Sequence, residues 1–293
     1  MNRTAMNNDG NVSQDAASIK VFCLIGDERI FNFQSPAMFQ AGLRAAGIKG
    51  AYVPFQVAPE DIGWAINALR VLHMAGANVT VPYKEAVVPF MDELSEGVQI
   101  IGSINTIVIK EGLLKGYNTN AIGIMQALKE VGFKAAGKPV LVFGTGGVAR
   151  SVVFLLKWLN AQPIFVAGRN PTKTENLVKQ LGGEALDLEQ AAEAAADANL
   201  VINATSVSDP EEGPALARIV EDMSLERCEL VFDINYHWSS NMWQALARRQ
   251  KVRFMDGLAA LGHQASHTLA LWTRRKVESR HFLAALKAGQ DPA

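Results

Sequence analysis

One junction limits what this chain can fold into more than any other. Pro139-Val-Leu-Val-Phe143 passes without a break into Gly144-Thr-Gly-Gly-Val-Ala-Arg150. A continuous apolar run with no polar alternation suits a strand buried on both faces. Gly144, Gly146 and Ala149 then fit G-x-G-x-x-[G/A], the fingerprint of a dinucleotide-binding turn. The first glycine allows the tight turn and the second lets backbone approach a pyrophosphate. The small third residue lets the following helix pack close to the strand. Thr145, Gly147 and Val148 complete the loop, and the N–H groups of the helix start offer a site for an anion. The bland alternative is a Gly-rich turn without a ligand, and the strand–turn–helix setting argues against it. Further strands are expected near Pro163–Ala167, Leu200–Ala204, Leu230–Ile234 and Val252–Phe254, with helices between them. That rhythm predicts a nucleotide-binding domain over residues 120–256.

The end of the second strand of such a domain selects the cofactor. An NAD site places Asp or Glu there for the ribose 2′-hydroxyl. Here Ile164-Phe-Val-Ala167 runs into Gly168-Arg-Asn-Pro-Thr-Lys173, without an acid. Arg169 and Lys173 can grip a 2′-phosphate, which favours NADP over NAD. The competing reading is two solvated loop charges.

Upstream, β-rich runs alternate with helical patterns. Strands are expected at Lys20–Ile25, Gly50–Phe55 and Gly76–Val81. Helices are expected from Ser35 to about Ala46, over Pro59–Met74 and from Tyr83 to about Leu94. Ser35-Pro36 reads as a hydroxyl N-cap followed by proline. Segments Ile100–Lys110 and Leu113–Tyr117 flank a Glu111-Gly112 turn. The pattern predicts a mainly parallel α/β domain over residues 19–119. Its strand ends carry three Asn/Thr-rich blocks: Asn78-Val-Thr-Val-Pro-Tyr-Lys84, Gly102-Ser-Ile-Asn-Thr106 and Gly116-Tyr-Asn-Thr-Asn120. They suggest a polar pocket with one cation, Lys84, as the candidate catalytic group. A surface lysine capping a strand is the plain alternative.

Bulk composition removes several classes. The formal net charge of −1 gives no electrostatic case for nucleic acid or an anionic membrane surface. No apolar stretch approaches membrane-spanning length. Residues 1–18 lack the apolar core of a signal peptide and read as a disordered leader, which points to the cytoplasm. Cys23 and Cys228 lie in apolar runs, without metal spacing or a disulfide framework, and read as buried thiols in strands. His263 and His267 stand four apart on a helix, but with no acid or cysteine clustered nearby they read as solvated or core-edge. His73 and His237 are isolated. No metal is expected.

Taken in order, the three blocks, the glycine loop, Ile202-Asn-Ala-Thr205, Asp233-Ile-Asn-Tyr236 and Asp256-Gly-Leu…Gln264 resemble the shikimate/quinate dehydrogenase family. The resemblance covers nearly everything after residue 19. It implies two α/β domains around a cleft, with C-terminal helices (residues 257–293) returning to the first. It implies NADP in the second domain and a cyclic hydroxy acid such as shikimate or quinate as substrate. Lys84 matches the family's catalytic lysine and Asn120 stands where the family has its aspartate. Ser35 matches a carboxylate contact, and Thr80, Asn105, Tyr236 and Gln264 match other substrate contacts. Gly168, Arg169, Asn170 and Lys173 match the adenosine-phosphate loop, and Thr205 falls in a cofactor-side block. Ile234 and Gly257 fall at the nicotinamide end. The chain is expected to act as a monomer or homodimer on a small molecule.

Two positions depart from the family. Phe33-Gln34-Ser35-Pro36 replaces Ser-x-Ser-Pro, and losing one hydrogen bond to a carboxylate costs about 1.5–3 kcal/mol. Phe33 also adds bulk beside that carboxylate. Asn120 keeps a hydrogen-bond acceptor for the substrate hydroxyl, on this reading, but lacks charge and proton capacity. Lys84 then works as the sole acid/base, and turnover on shikimate is expected to be slow. Beside the enzyme stands a second reading, a weakened paralogue that binds NAD(P) and a small ligand without efficient turnover.

Overall fold

In the computed structural model, residues 19–236 and 240–288 are described. The expected leader and His237 lie outside them. The first sheet holds β1 (Lys20–Gly26), β2 (Gly50–Gln56), β3 (Gly76–Val79), β4 (Glu93–Leu94), β5 (Thr106–Lys110) and β6 (Leu113–Tyr117). They lie in the order β2-β1-β3-β5-β6-β4. Strand β1 pairs in parallel with β2 and β3, whereas β5 runs antiparallel to both β3 and β6. The parallel pairing of β4 with β6 leaves β5 as the one strand that runs against the other five, so the sheet is mixed but mainly parallel, as expected. The β5–β6 hairpin is the cause of the mixing. Its Glu111-Gly112 turn has φ of 52° and 79°, and a two-residue turn with both φ positive joins antiparallel neighbours.

The faces of β1 alternate as a strand requires. Cys23 and Ile25 join Ile62, Ile66 and Leu69 of α2 (Ile62–Val71) on one side. Phe22 and Leu24 face Met38, Phe39 and Leu43 of α1 (Ser35–Ala45) on the other. That second face also receives α10 (Leu258–Thr273) and α11 (Ser279–Ala288) through Leu269, Phe282 and Leu286. Trp272 stacks on Phe22 with ring centroids 4.8 Å apart. The end of the chain thus completes the core that its start begins.

The second sheet holds β7 (Val140–Phe143), β8 (Ile164–Ala167), β9 (Glu184–Leu186), β10 (Leu200–Asn203), β11 (Leu230–Asp233) and β12 (Arg253–Met255). Its order is β12-β11-β10-β7-β8-β9, and every pairing is parallel. This is a doubly wound nucleotide-binding sheet, with its switch point between β7 and β10, where ligands of such sheets bind. Helices α4 (Asn120–Glu130), α5 (Gly147–Trp158) and α6 (Pro171–Leu181) pack around it with α7 (Leu188–Ala194), α8 (Pro214–Asp222) and α9 (Met242–Arg249). No helix among the described residues is long and apolar enough to cross a membrane.

Several expected elements change. Tyr83 to Leu94 forms no α-helix but turns, a 3-10 turn at Val88–Phe90 and the short β4. Pro89 has no N–H for the helical ladder, and the Lys84 carbonyl accepts the Ile104 N–H at 2.7 Å. The segment Pro59–Met74 resolves into a 3-10 turn at Pro59–Asp61 and then α2. Residues Glu96–Ile101 are helix α3, so β5 starts only at Thr106. Ser35 is the first residue of α1 while Gln34 is its N-cap, and the Ser35 hydroxyl caps nothing. Cys228 precedes β11 rather than lying in it, half-buried, with its thiol donating to the Leu230 carbonyl at 3.2 Å.

Candidate active site

Polar side chains at the β3 and β5 ends form a buried network that reaches the last long helix. Tyr52 donates to Asn78 Oδ1 (2.9 Å), and Asn78 Nδ2 donates to the Asn105 carbonyl (2.8 Å). The Thr106, Thr119 and Thr268 hydroxyls meet as a triangle of 3.2, 3.1 and 2.9 Å. Thr119 ends the loop before α4 and Thr268 lies on α10. Three distant stretches of chain therefore hold one another at this point.

A second seam joins the two sheets' units. Asn118 Nδ2 donates to the Ser103 carbonyl (2.9 Å), and its Oδ1 accepts from Ser151 Oγ of α5 (3.1 Å). Arg150 Nε donates to the Ile101 carbonyl (2.5 Å), and Gln180 of α6 donates to the Ile100 carbonyl (3.2 Å). The glycine-loop helix is thereby fastened to the loop that carries Ser103 and Asn105.

Lys84 stands in this junction. A methyl group placed on Gly147, the first residue of α5, would lie 3.3 Å from Lys84 Cβ, 3.5 Å from Lys84 Cδ and 2.5 Å from Ser103 Oγ. Only a glycine lets the nucleotide helix start this close to the lysine. No carboxylate among the described residues forms an ion pair with Lys84. Desolvation by burial pushes its ammonium from about 10.5 down to about 8. A lysine in that range exchanges protons near neutral pH, as an acid/base group must.

Asn120 opens α4 and is tied to Asn105, whose Nδ2 donates to Asn120 Oδ1 at 2.9 Å. The Asn120 oxygen is thus engaged within the protein. The group without a partner among the described residues is its Nδ2, a buried donor, while the oxygen expected to face the substrate hydroxyl already accepts one hydrogen bond from Asn105. Ser103 Oγ is the other buried side-chain atom without a partner among the described residues.

At the switch point, Gly144 adopts φ +119°, and a side chain there would stand 2.7 Å from the Ala204 carbonyl oxygen. Gly146 has nothing within 4 Å of where its Cβ would be, which leaves its backbone open to a ligand. Ala149 and Val148 turn towards the core of the second sheet. The Thr145 methyl covers Gly168, where an added Cβ would lie 2.7 Å from it. Asn170 caps α6, its Oδ1 accepting the Lys173 N–H at 3.0 Å. Arg169 and Lys173 are exposed and neither forms an ion pair among the described residues, so both remain available to a phosphate. An open glycine turn, a helix start and two unpaired cations after β8 fit a dinucleotide with a 2′-phosphate. Thr205 donates to Asn203 Oδ1 at 2.7 Å and shapes the turn after β10. Gly257 lies against Ile234, whose carbonyl oxygen would collide with any Cβ there.

The remaining expected contacts divide into two groups. The hydroxyls of Ser35 and Thr80 and the amide of Gln264 make no hydrogen bond among the described residues, although Gln264 Cβ lies where α10 crosses Gly123 of α4. Phe33 packs against the Phe22–Phe39 core and is partly structural. Burial pushes the Tyr236 hydroxyl up to about 12 and lowers His267. His263 does have an acid beside it: its Nε2 lies 2.7 Å from Glu130 Oε1 of α4, which corrects the reading of an acid-free surround. Sequence reasoning did not single out Tyr52, Ser103, Asn118 or Thr268 as members of the network. Ser103 and Asn118 lie within the Asn/Thr-rich blocks, whereas Tyr52, on β2, and Thr268, on α10, lie far from them in sequence and carry no local signal. Asp233 is fully buried and accepts from Ser208 (2.6 Å), Asn241 (2.7 Å) and Asn203 (2.8 Å), holding the loops after β10 and β11 together.

Fold and site define a two-unit, dinucleotide-binding α/β protein with a lysine where its units meet. Comparison with known proteins narrows this class. A family profile for the shikimate dehydrogenase substrate binding domain matches residues 24–107, and one for shikimate/quinate 5-dehydrogenase matches residues 126–236. The chain is 37% identical over 262 residues to a shikimate dehydrogenase (NADP(+)) of Geobacillus kaustophilus, covering 87% of this chain and 92% of that one. The crystal structure of shikimate dehydrogenase from Aquifex aeolicus superposes with a TM-score of 0.85 at 26% identity, over 92% of this chain and 98% of that one. The Thermus thermophilus shikimate 5-dehydrogenase in complex with NADP(H) and shikimate gives 0.81 at 29% identity, over 92% and 99%. The chain belongs to the shikimate dehydrogenase family.

Proposed function

We propose that this protein is an NADP-dependent oxidoreductase that interconverts a ring hydroxyl and a ring ketone. Its substrate is shikimate/3-dehydroshikimate or a related hydroxylated cyclohexane or cyclohexene carboxylate. The observation that carries this reading is Lys84 packed on Gly147 with no carboxylate partner among the described residues. A candidate base thereby touches the helix that starts at the dinucleotide loop. Bound NADP supplies or accepts the hydride. Lys84 takes the hydroxyl proton in oxidation and returns it in reduction, and the Asn105–Asn120 pair fixes polar atoms beside it. Ser35, Thr80, Gln264 and Tyr236 hold the ring's other oxygens, with Phe33 narrowing the carboxylate side. Arg169 and Lys173 grip the 2′-phosphate.

On this reading residues 19–119 bind substrate, residues 120–256 bind NADP, and residues 257–293 close the first unit. The protein works in the cytoplasm as a monomer or homodimer. A weakened paralogue is not favoured, because the relatives matched along most of their length are named as dehydrogenases. The test is NADPH formation across a panel of cyclic polyols. Lys84→Met is expected to abolish turnover while the NADP dissociation constant stays within about twofold. Unchanged turnover in the variant rejects the assignment.

A further inference from the structure

The polarity of Asn120 can be read from its neighbours, starting at a group that cannot be reversed. The Thr119 backbone N–H, which only donates, points at Asn105 Oδ1 at 2.8 Å. The other atom of the Asn105 amide is then Nδ2, and it faces Asn120 at 2.9 Å. A donor must meet an acceptor, so Asn120 turns Oδ1 to Asn105 and Nδ2 away from it. That Nδ2 is buried and has no partner among the described residues. A buried donor left without an acceptor is a standing cost, and a ligand oxygen that accepts from it removes that cost.

We propose that Asn120 meets the substrate as a hydrogen-bond donor, so that this pocket holds the ring ketone more tightly than the ring alcohol at the reacting position. The proposal rests on the enzyme reading above, with Lys84 and Asn120 at the reacting oxygen. A ketone oxygen accepts two hydrogen bonds and has none to give. At pH 7 the Lys84 ammonium and the Asn120 amide offer it two donors. An alcohol brings a hydroxyl proton that needs an acceptor; the Lys84 ammonium has none, and the Asn120 oxygen is turned to Asn105. A carboxylate at position 120 has the opposite polarity: it accepts from the alcohol and repels the ketone oxygen. The Asn105 Nδ2 donor can satisfy one oxygen of such a carboxylate as it now satisfies Oδ1, so Asn120→Asp changes the polarity of the site with little change in packing.

Calorimetric titration at pH 7 with non-reacting pairs tests this: 3-dehydroshikimate on the NADP+ complex and shikimate on the NADPH complex. The wild-type protein is expected to bind the ketone about tenfold more tightly. In Asn120→Asp the ratio reverses, and in Asn120→Ala it falls to about unity. A cooperative thermal melt close to that of wild type, with NADP+ affinity within about twofold, certifies that each variant is folded in both units. Equal binding of ketone and alcohol by the wild type, or an unmoved ratio in Asn120→Asp, overturns the donor role. If turnover still depends on Lys84 in that case, the enzyme reading stands alone. A folded wild-type protein that binds neither ring acid overturns both.

Discussion

A lysine whose proton leaves near pH 8 makes both the chemistry and the stability of the protein pH-dependent. The unfolded chain holds this proton up to about pH 10.4, whereas the folded chain releases it near 8. Below pH 8 the ammonium is present in both states, and its desolvation counts fully against the fold. Between about 8 and 10.4 the unfolded state binds more protons, so stability rises with pH; above that window the group is neutral in both. Lys84→Met removes the penalty. We expect the variant to be more stable than wild type at pH 7, by at most about 3 kcal/mol, with the gap closing towards pH 10.5. Thermal melts of both proteins from pH 7 to 10.5 check this. The catalytic counterpart runs through the same group: kcat/KM for alcohol oxidation rises through about pH 8, and that for ketone reduction falls. Lys84 and its lack of a partnering carboxylate were legible in the sequence, because Asn120 stands in the third Asn/Thr block. The direction in which Asn120 points was not, since it is set by a backbone N–H one residue away and by a side chain fifteen residues upstream.

Elements whose identity rests on local rules were read correctly from the chain. The β7–glycine loop–α5 unit needs only a buried apolar strand, small residues and a helix start, all adjacent. The Glu111-Gly112 hairpin is equally local. The helix expected over Tyr83 to Leu94 failed because a distant strand connection decided it: Ile104 N–H takes the Lys84 carbonyl, and Pro89 blocks the ladder. Strands β4 and β9 were missed because two or three residues at a sheet edge carry no periodic signal. The start of α6 carries a prediction of its own. Arg169 and Lys173 flank its Asn170 cap without ion-pair partners among the described residues. Arg169→Ala is expected to weaken NADP by about 1.5–3 kcal/mol, on the order of tenfold to a hundredfold, and to leave NAD nearly unaffected. Parallel titrations of the two dinucleotides measure the difference; an equal loss for both rejects a 2′-phosphate role.

At the scale of the whole molecule, the hydroxyl triangle of Thr106, Thr119 and Thr268 ties the first sheet, the crossing to the second unit and the returning helix. Thr268→Val keeps the shape but removes one hydrogen-bond partner each from the buried Thr106 and Thr119 hydroxyls. We expect a loss of about 1–3 kcal/mol and a raised KM for the ring substrate, with the NADP dissociation constant unchanged. Denaturant unfolding and steady-state kinetics check the two halves of that expectation. A weakened NADP affinity instead places the network's influence in the second unit. The return of α10 to the first sheet also sets the order in which the protein is completed. Thr268 leaves the ribosome 162 residues after Thr106, and Leu269, Trp272 and Phe282, which cover Phe22 and Phe39, follow it. Until then the nascent first sheet has one apolar face covered only in part, by α1, a surface that invites chaperones. The second sheet can form while the chain is still being made, but α10 also adds Ala260 to that unit's core, and the lysine centre waits for α10 and α11. A stalled or truncated chain is therefore expected to bind dinucleotide before it can act on a ring.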